Sequence, residues 1–147
     1  MLSNFTNKTF TGVIFYSYPG SKKEASENWK TNRIRYPDLV VDDLFLTKDH
    51  YVAVRIKNHG KKSIPEAAWK KNNPAILDIK MNDKYWGGAG MILIDPEKKL
   101  LKPGSRIIYR TRLKILKPTK IEAIIDTQRR IKEADEKNNK FRTVLVP

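Results

Sequence analysis

The sequence feature that most limits the possible folds is a period-two alternation of apolar and polar residues. The clearest run starts at Tyr51, where Val52, Val54 and Ile56 alternate with small or basic residues. Successive side chains of a β-strand point to opposite faces, so this pattern is typical of a strand with one buried face. The same pattern, or a short apolar run, predicts further strands at 37–46, 75–82, 91–94, 105–116, 119–126 and 141–146.

Turn-forming residues separate these runs. Gly, Pro, Asn and Asp cluster at 58–60, 72–74, 82–83, 95–96, 102–104 and 117–118, and no segment carries a convincing helical stripe. About seven short strands with this punctuation predict an all-β fold, an antiparallel β-sandwich. The residues expected in its core are Val54, Ile56, Leu77, Ile79, Ile107, Leu113, Ile121 and Ile125.

Residues 1–36 differ from the rest and are predicted to form an N-terminal extension, whereas 37–147 form the sandwich domain. The extension contains a possible edge strand at 9–18 and a segment at 21–30 that could form two or three helical turns, with Trp29 as an anchor. No apolar run approaches the ~18 residues of a membrane helix, and the N-terminus lacks the pattern of a signal peptide. We therefore expect a domain with no membrane span and no signal peptide in this chain.

Catalysis is not expected, because the residue types that common mechanisms need are missing or isolated. The chain has no cysteine, which excludes thiol catalysis and thiolate metal sites. Its two histidines, His50 and His59, lie before a predicted strand and in a glycine turn, where surface or turn roles are expected. The glycines at 87–90 do not fit a phosphate-binding loop and are expected to form a bulge or a hairpin tip. The sequence predicts no catalytic residue and no cofactor.

Charge points to one class of partner. The chain has 30 Lys and Arg against 16 Asp and Glu, a formal net charge of +14. The predicted strand at 105–116 carries four basic residues opposite its apolar row: Arg106, Arg110, Arg112 and Lys114. Alternate residues of a strand are ~6.8 Å apart, near the spacing of phosphates in an extended polyanion. Two interpretations remain open: binding of nucleic acid or another polyanion, or a solvated face paired with acids such as Glu122.

Oxygen donors cluster before the last predicted strand. The cluster combines carboxylates and side-chain amides: Glu133, Asp135, Glu136, Asn138 and Asn139. Such ligands suit calcium, but their spacing is not that of an EF-hand loop, and neighbouring lysines already neutralise the cluster. In the alternative interpretation the asparagines adopt turn conformations and satisfy backbone groups of the loop. We favour this structural interpretation and predict no metal site, with calcium as the alternative.

Two adjacent aromatic residues are candidates for ligand contact. Tyr85 and Trp86 precede the glycines at 87–90, at a predicted hairpin where their rings would be available for stacking on a sugar or a base. Packing against the end of the sandwich is the alternative for Trp86, and packing is the preferred interpretation for Trp69.

Residues 37–147 also resemble a known family, the CARDB domain (cell adhesion related domain found in bacteria). The segments that resemble its motifs occur in the family's order: PDLVV at 37–41, VRIKNHG at 54–60, LKPGS at 101–105, and ID at 125–126 followed by EADEKNN at 133–139. The resemblance implies an immunoglobulin-like sandwich that acts as a non-catalytic module of a bacterial cell envelope or surface, in an extracellular or envelope location.

The function that this resemblance implies is adhesion, or binding of a protein or glycan at the cell surface. Polyanion binding through the basic strand is the alternative function. In either case we expect a monomeric domain.

Overall fold

A computed structural model describes residues 35–147, so the expectations for 9–18, 21–30 and Trp29 lie outside the described residues. The strands are β1 Leu39–Leu46, β2 Tyr51–Asn58, β3 Ile76–Met81, β4 Lys84–Gly90, β5 Arg106–Lys114, β6 Thr119–Ile125 and β7 Lys140–Leu145. A short α-helix, α1, spans Met91–Ile94, and 3-10 helices span Glu66–Trp69 and Lys99–Leu101. Within residues 35–147 no helix is long and apolar enough to span a membrane.

The strands form two antiparallel sheets that pack as a sandwich. The three-stranded sheet has the order β1-β2-β5, and the four-stranded sheet has the order β4-β3-β6-β7. Every residue predicted for the core is buried, with an exposed fraction of 9% or less, and residues of both sheets join in one apolar cluster. The predicted all-β class and antiparallel sandwich are confirmed.

One side of the sandwich is closed and the other is open. At the edge of the three-stranded sheet, β1 contacts β7 and β6 of the other sheet. The opposite edges are β5 and β4, and a cleft lies between them. Among the strands of residues 35–147, β5 and β4 therefore each have one edge without a neighbouring strand on this side, and natural sheets usually cover such edges or protect them with charge.

The hairpin that joins β3 to β4 differs from the prediction in where its glycines lie. Its turn is formed by Asn82 and Asp83, whose φ angles of 51° and 70° are those of a two-residue type I′ turn. The glycines at 87–90 lie inside β4 and not at the hairpin tip. A bulge does form beside them, since the pairing with β3 shifts register and leaves Trp86 as the extra residue.

Residues 91–94 form the helical turn α1, so the predicted strand at this position is wrong. Met91 and Ile94 are buried while Ile92 and Leu93 are exposed, which is a helical pattern and not an alternating one. The Asp95 N–H donates to the Met91 carbonyl (2.9 Å) and closes the turn. A run of four apolar residues is too short to show a period, so the sequence could not distinguish the two structures.

Candidate functional site

β5 carries the basic residues that the sequence singled out. Arg106, Arg110, Arg112 and Lys114 are all exposed, and the residues between them are buried or half-buried, apart from the exposed Ile108. The strand lies at the edge of the three-stranded sheet, where β2 is its neighbour. Period-two alternation thus predicted correctly which face of this strand is accessible.

The prediction that Glu122 faces these cations across the sheet is wrong. Glu122 lies on β6 in the other sheet and is 8% exposed. Its carboxylate oxygens lie 4.0 Å from Lys80 Nζ and 3.9 Å from Lys140 Nζ. Alternation shows which residues of one strand share a face, but it does not show which strand lies beside it.

The residues of β2 beside β5 add positive charge and not negative charge. Arg106 is directly opposite Lys57 in the register of the two strands. An ion pair joins Arg55 to Asp42 at 2.9 Å. In the described part of the chain, neither Lys57 nor any of the four β5 cations has a carboxylate oxygen within 4.0 Å. The term basic face below refers to Lys57, Arg106, Arg110 and Lys114.

An aromatic ring lies among these cations. The central guanidinium carbon of Arg110 is 4.6 Å from the centroid of the Tyr51 ring, and Lys114 Nζ is 5.7 Å from the same centroid. Cation–π attraction of this kind is worth about 0.5–1 kcal/mol at an exposed site. The ring therefore holds two positive charges near each other without neutralising them.

Arg112 differs from the other three cations because β5 is irregular where it lies. Thr111, Arg112 and Leu113 lie opposite the single residue Val52, and the Thr111 hydroxyl donates to the Val52 carbonyl (2.8 Å). Irregularities of this kind re-aim side chains at sheet edges. Arg112 lines the cleft between β5 and β4, whereas the residues of the basic face do not.

The two candidate aromatic residues on β4 are both accessible. Tyr85 is 66% exposed and Trp86 is 40% exposed. Trp86 lines the cleft on the open side of the sandwich, which has a volume of about 300 Å³. Trp69, for which packing was the preferred interpretation, is buried, and its Nε1–H donates to the Asp95 carbonyl (2.8 Å).

The acidic loop before β7 is tied to β1 by buried hydrogen bonds. The Glu133 carboxyl group accepts from the Leu39 N–H at Oε2 (2.6 Å) and from Asn139 Nδ2 at Oε1 (2.7 Å). Asn139 Nδ2 also donates to the Leu39 carbonyl (2.9 Å). Glu133 and Asn139 are both buried, and together with the Leu39 backbone they form what we call the loop clamp.

Burial raises the pKa of Glu133 to about 9. The main cause is the loss of water around the carboxyl group, and the nearby negative charges of Glu136 and Asp126 act in the same direction. The hydrogen bonds from Asn139 and Leu39 oppose the shift. Burial likewise raises the pKa of Asp126. The surroundings of Glu133 therefore favour the protonated form of its carboxyl group.

The other calcium candidates also contact groups of the chain itself. Asp135 accepts from the Lys137 N–H (2.8 Å), and Glu136 accepts from the Glu133 N–H (3.1 Å). Asn138 Nδ2 donates to Asp38 (2.8 Å). Among residues 35–147 no group of three or more His, Asp or Glu side chains is arranged to hold a metal ion. These contacts support the structural interpretation of the loop.

We expect Asn139→Ala to lower the free energy of unfolding by about 1–3 kcal/mol, because it leaves two buried acceptors of the loop clamp without their donor. Urea denaturation measures the change, and the exposed Asn72→Ala serves as a control with little expected effect. Calcium should leave the melting temperature unchanged. A rise that Glu136→Gln abolishes would show that the loop is a calcium site instead.

The cleft could not be predicted from the sequence. Leu77 and Ile79 of β3, Tyr109 of β5 and Leu93 of α1 line it together with Trp86. These residues come from separate elements, so nothing in the sequence shows that they meet. The single useful signal was an aromatic residue beside a run of glycines.

No protein-family model matches the chain, and no curated protein is significantly similar to it in sequence. The chain is similar to two solved structures of the CARDB domain of the PF1109 protein from Pyrococcus furiosus. The crystal structure of that domain, in complex with di-metal ions, is 18% identical with a TM-score of 0.49, and the match covers 76% of this chain and 94% of that chain. The solution NMR structure is 17% identical with a TM-score of 0.43, and the match covers 76% and 96%. Both structures carry the name of the family that the motifs of this chain resemble.

Proposed function

We propose that this chain is a non-catalytic binding module of a cell envelope or cell surface, and that it binds a polyanion through the basic face. The resemblance to the CARDB family supports the surface location. The observation that carries the choice of ligand is the set of cations on β5 and β2 that have no acidic partner within residues 35–147.

The pairing of Lys57 with Arg106 favours an anionic ligand over a merely solvated face. Like charges directly opposite each other on two strands destabilise a sheet. Elsewhere the described chain avoids this arrangement, since Glu122 lies between Lys80 and Lys140 and Arg55 pairs with Asp42. An anion bound over Lys57 and Arg106 would relieve the repulsion that the fold leaves in place.

The shape of the basic face suits an extended polymer. Arg110 and Lys114 lie on either side of the irregular stretch of β5, and both contact the Tyr51 ring. Arg106 and Arg110 are four residues apart on the regular part of the strand, a spacing of ~13–14 Å. This is about two to four times the distance between neighbouring phosphates of a single strand. A chain of phosphates, sulfates or carboxylates that runs along β5 could therefore contact all three side chains.

We expect the double variant Arg106→Gln, Arg110→Gln to bind heparin and single-stranded DNA more weakly and with a smaller dependence on salt. The logarithm of the binding constant should fall less steeply with the logarithm of salt concentration, by about 1 for each phosphate that the variant no longer neutralises. Heparin retention and electrophoretic mobility at about 50 and about 200 mM salt measure this effect.

The matched control is Lys84→Gln, Arg142→Gln, which removes the same charge from exposed residues of the other sheet. It should leave binding closer to wild type than the β5 variant does. Equal losses in both variants would show that net charge and not the basic face is responsible. Failure of the wild type to bind either polymer at about 50 mM salt would rule out the proposal.

A second candidate function is binding of a protein or glycan at the cell surface. The exposure of Tyr85 and Trp86 at the edge of the four-stranded sheet favours it, because large aromatic side chains on a surface often mark a contact site. A glycan would stack on these rings and would bind with little dependence on salt, which distinguishes it from a polyanion.

A further inference from the structure

The cleft on the open side of the sandwich has the composition of a small-ligand site. Its floor is formed by Leu77 and Ile79, which belong to the core. Trp86 of β4 and Tyr109 of β5 come from the two strand edges that flank it, and Leu93 of α1 contributes a side chain that is 62% exposed. A cleft of about 300 Å³ lined by apolar and aromatic groups lies at the lower end of the size range of ligand pockets.

One cation joins this apolar lining. The Arg112 guanidinium has no hydrogen bond, ion pair or aromatic contact with any residue of 35–147. Trp86 lacks a hydrogen bond for its indole N–H in the same part of the chain, and Tyr109 lacks one for its hydroxyl. The planar guanidinium group of arginine presents paired donors that match the two oxygens of a carboxylate. Within residues 35–147, Arg112 has no existing partner that a bound carboxylate would have to replace.

We propose that this cleft binds a small ligand that carries an aromatic ring and one carboxylate. The ring lies between Trp86 and Tyr109, where offset or edge-to-face contacts with both side chains are available. The carboxylate lies at Arg112. Thr111 and Arg112 both lie in the irregular stretch of β5, and both line the cleft.

This site is independent of the proposed polyanion function. The basic face depends on Arg106, Arg110 and Lys114, none of which lines the cleft. Loss of Arg106 should therefore weaken polyanion binding and leave the cleft unchanged, while loss of Arg112 should weaken binding in the cleft. A ligand with an aromatic ring and a carboxylate could be a free aromatic acid or a peptide that ends in an aromatic residue. The two probes below distinguish these two kinds of ligand.

The test is a titration of the full chain with 3-phenylpropanoate and with N-acetyl-Gly-Gly-Phe bearing a free carboxyl terminus. The signal is the NMR resonance of the Trp86 indole N–H, assigned among the three tryptophans by its loss in Trp86→Phe. Concentrations up to about 10 mM cover the affinity of about 1 mM that is reasonable for fragments of this size. The neutral analogue 3-phenylpropanamide controls for the carboxylate.

We expect saturable shifts of this resonance with at least one acid, and binding about ten-fold weaker for the amide and for Arg112→Gln. Arg106→Gln, an exposed arginine of the same strand outside the cleft, should bind within about two-fold of wild type, since it removes the same charge at a distance. Tighter binding of the peptide would identify a peptide end as the source, and tighter binding of phenylpropanoate a free acid. No shift with either acid, or equal binding by wild type and Arg112→Gln, would overturn the proposal.

Discussion

Replacing Asn58 by alanine is expected to lower the free energy of unfolding by about 3–5 kcal/mol, a large effect for a single asparagine. Asn58 is fully buried at the end of β2. Its Oδ1 accepts from the Asp38 N–H (3.1 Å) and the Gly60 N–H (3.1 Å). Its Nδ2 donates to the carbonyls of Lys62 (3.0 Å) and Leu100 (3.3 Å). Alanine would leave all four backbone groups without this partner.

The effect of Asn58→Ala is measured by urea denaturation monitored by tryptophan fluorescence, with Asn72→Ala as the control. Asn72 is exposed and has no hydrogen bond within residues 35–147, so its replacement should change stability by less than about 0.5 kcal/mol. Asn58→Asp adds a second comparison, because it keeps the acceptor oxygen but puts an oxygen where Nδ2 donates to two carbonyls. We expect it to be destabilising as well. If Asn58→Ala loses less than about 1 kcal/mol, water must replace the side chain and the network matters little.

Much of the fold could be predicted because its signals are local. The alternation of Val52, Val54 and Ile56 depends on the geometry of one strand, and the strand keeps that geometry in the folded chain. The turn at Asn82 and Asp83 is similar, since these residue types tolerate the positive φ that a type I′ turn requires. Six of the seven strands, their buried faces and this turn therefore agree between sequence and structure, whereas β4 was not predicted and the strand predicted at 91–94 is helical.

The parts that could not be predicted depend on which elements become neighbours. Glu122 was expected to face the cations of β5 although it lies in the other sheet, because strand order is not encoded in the period of any one strand. The cleft of Trp86, Tyr109 and Arg112 exists only because β4 and β5 end up as the two open edges. Asn58 illustrates the same limit, since a turn was predicted at 58–60 but its contacts with Asp38 and Leu100 are long-range.

The loop clamp could be predicted only in part. The sequence suggested that the asparagines at 138–139 satisfy backbone groups, and Asn139 does donate to the Leu39 carbonyl. The sequence did not indicate that Glu133 is the buried member of the acidic cluster. Three carboxylates lie within four residues, and only the contact with β1 in the folded chain distinguishes Glu133 from the other two. Burial is what gives Glu133 an altered pKa while Asp135 and Glu136 remain partly exposed.

The stability of the domain is expected to fall as pH rises from about 5 to about 8, and Glu133 is the main cause. The folded chain raises the pKa of Glu133 from 4.5 to about 9, so the folded state binds a proton that the unfolded state has released. The resulting stabilisation is fully present below pH 4.5 and is lost as pH rises toward 9. One proton corresponds to a slope of up to about 1.4 kcal/mol per pH unit. Asp126, whose pKa is raised in the same direction, adds to the decline at the acidic end of this range.

Glu133→Gln should remove most of this pH dependence, because glutamine stays neutral at every pH and resembles the protonated acid in size. The quantity to measure is the difference in free energy of unfolding between wild type and variant at pH 5, 6, 7 and 8, in which contributions from the two histidines cancel. As pH rises, the variant should become more stable relative to the wild type. A constant difference would mean that Glu133 is ionised throughout, held as a carboxylate by the N–H of Leu39 and the amide of Asn139. The clamp would then be a charge-assisted hydrogen-bond pair, and the cost of burying its charge would be present at every pH.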